Sequence, residues 1–125
     1  MKTKLLALAG ASILLAAGPA SAHHSGAMFE RQKTVSLTGT VKSFEWTNPH
    51  SWLEIMVPGK DGKTVQWSVE LNGPDTLFRQ GFRPNMPKAG DKVTVVAHPL
   101  RDGRRGGSVV SVLLPNGKFI GIPST

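Results

Sequence analysis

The side chains best equipped for chemistry in this sequence are its four histidines, and two of them adjoin in "ASAHHSGAMF", residues 20–29. No cysteine accompanies them, so thiolate metal sites, disulfides and covalently attached c-type haem are excluded. His23 and His24 directly follow the small-residue triplet Ala20-Ser21-Ala22. A cut after Ala22 would make His23 the first residue. Its α-amine and ring Nδ1 can then close a chelate on one ion. A second imidazole completes a T-shaped set of three nitrogens, a histidine brace. Borderline nitrogen donors suit copper, and Cu(II) heads the divalent affinity order. The α-amine has a reference pKa of about 7.7–8.0, so a metal can displace its proton near neutral pH.

Three residues compete to supply the second ring. His50 is the first choice; it lies in "TNPHSW", where Asn48-Pro49 reads as a turn. His24 is adjacent to His23, and neighbouring rings are hard to aim at one square plane. His98, before Pro99, comes third. Trp46 and Trp52 flank His50 and could wall a dry site, and Met28 and Met56 could add thioether contacts. Each of these residues also has a plainer explanation. His-His can be an incidental chain end, His50 a turn residue, His98 a strand-end residue, and the methionines core filler.

Other chemistries find no residues. Ser25, Ser51 and His50 form no recognisable triad, and no Gly-x-Ser-x-Gly elbow occurs. "GRRGG" lacks the Lys and Ser/Thr of a phosphate-binding loop. The eight acidic residues form no evident pair. No catalytic residue is therefore assigned, and the expectation is a metal-binding protein rather than an enzyme. A copper-dependent redox activity is a third reading, because a brace with an open position can activate oxygen.

The brace requires export and cleavage. Lys2 and Lys4 precede an apolar and small-residue run from Leu5 to Ala17, which Gly18 and Pro19 break before the small-x-small triplet. That run has 13 residues, against the roughly 20 needed to cross a bilayer. The expected organisation is a signal peptide at 1–22 and one domain at 23–125, placed in the periplasm or secreted. No integral membrane segment would remain after cleavage. Removing Lys2 and Lys4 from the 15 basic residues leaves 13 against 8 acidic ones, a net charge of +5. These charges are scattered except for Arg101, Arg104 and Arg105 in "RDGRRGG". An alternative reading follows: a binding module for an anionic polymer or partner protein, using those arginines with Trp46 and Trp52. Nucleic acid is not an expected partner, because the location is wrong and stacking aromatics are scarce.

The elements that would hold these groups are short and β-rich. "KTVSLTGTVKSFEW" alternates at Val35, Leu37 and Val41, then changes parity at Phe44 and Trp46, which suggests a bulge or coil at Gly39 or Ser43. "SWLEIMV" and "TVQWSVEL" alternate cleanly around the turn at Asp61-Gly62. Pro74, Asp75 and Gly81 bracket a helix of about two turns. "KVTVVAHPL" and "SVVSVLLP" are two further strands, and "NGKF" turns into a tail. Three strands, a short helix and two strands is the element order of the five-stranded OB-like Greek-key barrel; a β-sandwich is the competing topology. The expected core is Val35, Leu37, Val41, Leu53, Ile55, Val57, Val65, Trp67, Val69, Val93, Val95 and Val112.

The segments "HHSGAMF", "SLTGTVKSFEWTNPHSWLEI" and "KAGDKVTVVAHPLRDG" resemble a family of small exported bacterial proteins classed as a domain of unknown function. Its pattern is a mature His-His-Ser start, a Gly-x-Val strand leading to Asn-Pro-His-Ser, and a Gly-Asp-x-Val strand. The resemblance covers nearly all of 23–125. It implies a periplasmic or secreted single-domain β protein and brings no activity with it. Its motifs fall on His23, His24 and His50. Copper oxygenases and carriers that use a brace share only the N-terminal His, so no oxygenase activity is implied.

Overall fold

The computed structural model describes residues 25–121. The expected cleavage site after Ala22, together with His23 and His24, lies outside them. Among the described residues, six strands and one helix follow a 3₁₀ turn at Ser25–Met28. The strands are β1 (Val35–Glu45), β2 (Ser51–Pro58), β3 (Thr64–Leu71), β4 (Lys92–Pro99), β5 (Gly106–Leu113) and β6 (Phe119–Gly121), and helix α1 spans Pro74–Gln80 between β3 and β4.

Strand β1 is long because it serves two partners. Its first half pairs antiparallel with β4, from Val35↔Ala97 to Thr40↔Lys92, and its second half pairs with β2, from Thr40↔Met56 to Glu45↔Trp52. The handover explains the parity change in its sequence. The register slips between Val41 and Ser43, so Lys42 is the extra residue, and beyond it the inward positions change parity. Gly39 stands at the same handover. A Cβ there would lie 2.2 Å from the Met56 carbonyl oxygen, so only glycine lets the strand coil so close to β2.

The sheet closes on itself through β3 and β5, which run parallel with Ser68, Val69 and Glu70 opposite Gly106, Gly107 and Ser108. With β5 antiparallel to β4, the ring β1-β2-β3-β5-β4 is a closed five-stranded barrel of OB type, not a sandwich. The closure demands small residues in β5: a Cβ on Gly107 would meet the His98 carbonyl oxygen at 2.7 Å. Strand β6, read from the sequence as a tail, instead adds to β5 with Ile120 opposite Val112. Its Ile120 side chain is buried, which accounts for its order.

Eight of the twelve expected core residues are buried: Leu37, Val41, Leu53, Ile55, Val69, Val93, Val95 and Val112. Val35, Val57, Val65 and Trp67 are only half-buried. Leu77 of α1 and Phe82 just beyond it are fully buried and join the same core, so the helix seals the barrel. Phe82 packs on Phe44 with ring centroids 6.3 Å apart, and Phe44 meets Trp46 edge-on at 5.9 Å. The segment after the 3₁₀ turn is fastened to the end of β4 and the loop beyond it. Phe29 is buried and bridges Leu100, the Glu30 N–H donates to the Pro99 carbonyl, and the Arg101 N–H donates to the Met28 carbonyl. No helix among the described residues is long and apolar enough to cross a membrane.

Candidate functional site

The loop between β1 and β2 carries His50, and three contacts make that loop rigid. The Thr47 hydroxyl donates to the His50 carbonyl at 2.7 Å, and the Thr47 N–H donates to the Ser51 hydroxyl oxygen at 3.2 Å. The Ser51 N–H donates to the Asn72 carbonyl, which ties the loop to the end of β3. Ser51 is itself fully buried, so the residue next to His50 is an anchor.

From this perch the His50 ring meets Glu70 of β3. Its Nδ1 stands 2.9 Å from Glu70 Oε1; the His50 side chain is 40% exposed and that of Glu70 10%. An ionised carboxylate can only accept, so the tautomer that suits this contact carries its proton on Nδ1. Nε2, on the far side of the ring, keeps its lone pair whenever the ring is neutral. A carboxylate behind an imidazole in this way is the arrangement that orients metal-binding histidines.

Glu70 was not singled out by the sequence. It sits in β3 on the face that alternation gives to solvent, alongside Gln66 and Ser68. Those two are spoken for: Ser68 Oγ donates to Glu54 Oε1 at 2.6 Å, Gln66 Nε2 donates to Glu54 Oε2 at 2.9 Å, and Lys42 Nζ donates to Gln66 Oε1 at 2.9 Å. Glu70 lies one step further along, between Trp52 of β2 and Ser108 of β5 in the register. The parallel closure with β5 is what buries it, and nothing local in "TVQWSVEL" reports a closure with a strand some 40 residues later in the chain.

Beside Glu70 opens a cavity of about 320 Å³. Met28, Phe29, Trp52 and Leu100 give it apolar walls, and Ser68, Glu70, Arg104 and Arg105 give it polar ones. The chain segment that follows His23 and His24 therefore ends against the same wall as Glu70. Met28 is 44% exposed there.

The other residues singled out by sequence fall in different places. His98 points from the outer face of β4, and its Nδ1 lies 2.8 Å from the Lys33 carbonyl, to which it donates. It shares a register row with Glu70 through their common neighbour Ser108. Trp46 packs in the aromatic cluster with Phe44, away from the cavity lining, whereas Trp52 lines the cavity. Arg101 is engaged by the N-terminal segment: its guanidinium donates to the Ala27 carbonyl at 3.2 Å and to Glu30 Oε1 at 3.1 Å. Arg104 reaches the cavity but also donates to Asp102 Oδ2 at 2.7 Å. The Arg104 backbone N–H and side chain together hold the exposed Asp102 carboxyl below its ordinary range. Arg105 lines the cavity, and among the described residues its guanidinium makes no hydrogen bond.

No cluster of three or more His, Cys, Asp or Glu able to hold a metal occurs among the described residues. His50 and Glu70 thus offer at most two donors, and any ion held there must find the rest elsewhere.

Together these features define a small OB-type barrel with an imidazole–carboxylate pair beside a ligand-sized cavity. The chain belongs to the family described as "Family of unknown function (DUF6152)", whose model matches residues 11–109. No curated protein and no solved structure matches it.

Proposed function

We propose that this chain is an exported metal-binding protein, with copper the preferred ion, that handles or carries the metal rather than performing catalysis. His23 supplies its α-amine and ring after cleavage behind Ala22, and His50 supplies the second ring through Nε2. His24 or Met28 is auxiliary. The observation that carries this reading is the His50–Glu70 pair, in which a well-anchored ring turns Nδ1 to a carboxylate, and no hydrogen bond to Nε2 occurs among the described residues.

Proximity in the chain supports it: Met28 and Glu70 line one cavity, and His23 is five residues from Met28. The barrel supplies one donor to the T-shaped set, His50 Nε2, and His23 supplies the other two. Cu(II) is favoured over Zn(II) by an all-nitrogen, planar donor set.

The test is calorimetric. Cu(II) is titrated into protein beginning at His23 and into a form carrying one extra glycine before it. The reading expects one-to-one binding that weakens by at least a hundredfold on extension and on His50→Ala. Equal affinity for all three forms would reject it.

A further inference from the structure

We propose that the cavity between β3 and the β4–β5 loop binds a small aromatic carboxylate. The inference goes beyond the metal reading and does not depend on it. A volume of about 320 Å³ lies at the lower end of the roughly 300–1,000 Å³ of small-molecule sites, which suits one or two rings rather than a polymer.

The walls select the chemistry. Trp52 and Met28, with the buried Phe29 behind them, are polarisable groups that favour a flat, unsaturated body; aromatic faces pack on aromatic rings, and thioethers pack at ring edges. The polar groups then set the ligand's charge. Arg104 is turned to Asp102, but Arg105 is uncommitted among the described residues. An exposed Arg side chain at the rim of a cavity, with no hydrogen bond among the described residues, is suited to a planar carboxylate, which a guanidinium can grip with two parallel N–H···O bonds. Glu70 supplies the complementary polarity. Its Oε1 faces His50, while no hydrogen bond among the described residues occupies its other oxygen. A ligand N–H or O–H donor directed at Glu70 would use that oxygen. The recognised class is therefore a one- or two-ring aromatic carboxylate carrying a hydrogen-bond donor on the ring.

The structure also explains why the cavity persists. Phe29 is buried, and the Glu30 and Arg101 backbone bonds pin the N-terminal segment over the loop. Gly106 and Gly107 of β5 also line the cavity and put no side chain into it.

The experiment uses the purified protein in chelator-treated buffer, so that metal binding plays no part. Indole-3-acetate and 4-hydroxybenzoate are the probes, with indole as the ring lacking a carboxylate. Backbone amide shifts of Gly106 and Gly107 and the Trp52 indole N–H are followed by NMR. The proposal expects saturable one-to-one shifts at these residues for at least one carboxylate, with indole at least tenfold weaker. Arg105→Gln should weaken the carboxylate about tenfold and leave indole unchanged. Because Arg105 is exposed, this variant keeps the fold, and Arg79→Gln on α1 serves as a charge-matched control without effect. Three results would each overturn the proposal: no saturable shift up to millimolar probe, shifts confined to other residues, or equal loss in Arg105→Gln and Arg79→Gln.

Discussion

Replacing Glu70 by Gln is the sharpest perturbation of the site. The two side chains have nearly the same shape, so the wall of the cavity and the contact with Trp52 are retained while the charge behind His50 is removed. Substituting the partner behind a metal-binding histidine weakens metal affinity by about 10- to 100-fold. Two structural facts place the expected loss within that range. Glu70 is only 10% exposed, so its charge is weakly screened; His50 is 40% exposed, so water replaces part of what is lost. The middle of the range, about thirtyfold, corresponds to about 2 kcal/mol at 1.4 kcal/mol per tenfold. The assay is competition for Cu(II) against a chelator of known affinity, at fixed pH and salt. Glu54→Gln, on the same face but engaged with Ser68 and Gln66, is the control and should change affinity less than twofold. A loss below threefold in Glu70→Gln, in a protein with unaltered melting, would refute the role given to this carboxylate.

Three further outcomes are expected. Gly39→Ala forces a Cβ to within 2.2 Å of the Met56 carbonyl and should cost about 3 kcal/mol or more by urea denaturation, because backbone rather than a flexible side chain must move. Arg101→Ala removes the guanidinium contacts to Ala27 and Glu30; it should speed amide exchange at Glu30 and Arg101 at least fivefold while leaving exchange in β1–β3 unchanged. The turn at Asp102–Arg104 should respond to acid. Asp102 is held below its ordinary value of 3.8, so its contribution is complete above that value and is lost as pH falls through the lower folded value; the Arg104 amide shift should titrate with a midpoint below 3.8, and Asp102→Asn should abolish the titration.

How far the sequence discloses this molecule depends on the range of the interaction involved. Alternation in "SWLEIMV" and "TVQWSVEL" marks β2 and β3 to within a residue, because each strand's two faces meet different surroundings. Pro74 and Gly81 bracket α1 for equally local reasons. The parity change in β1 announces a bulge, though its place at Lys42 depends on pairing with β2. Strand β6 is missed because three residues carry too little pattern, and its order comes from burying Ile120 against β5. At the site, His50 is legible from its turn, its flanking tryptophans and its residue type. Glu70 is not, since the parallel pairing of β3 with β5 is what removes it from water. The basic cluster likewise reads as one unit, yet its three arginines take separate partners: Arg101 the N-terminal segment, Arg104 its neighbour Asp102, and Arg105 the cavity wall.

The most direct measurement is electron paramagnetic resonance of the one-to-one Cu(II) complex of protein beginning at His23. The account predicts an axial spectrum with coupling from three nitrogen donors, reduced to two in His50→Ala and disrupted when the α-amine is acetylated. A spectrum that is the same in all three samples would contradict it.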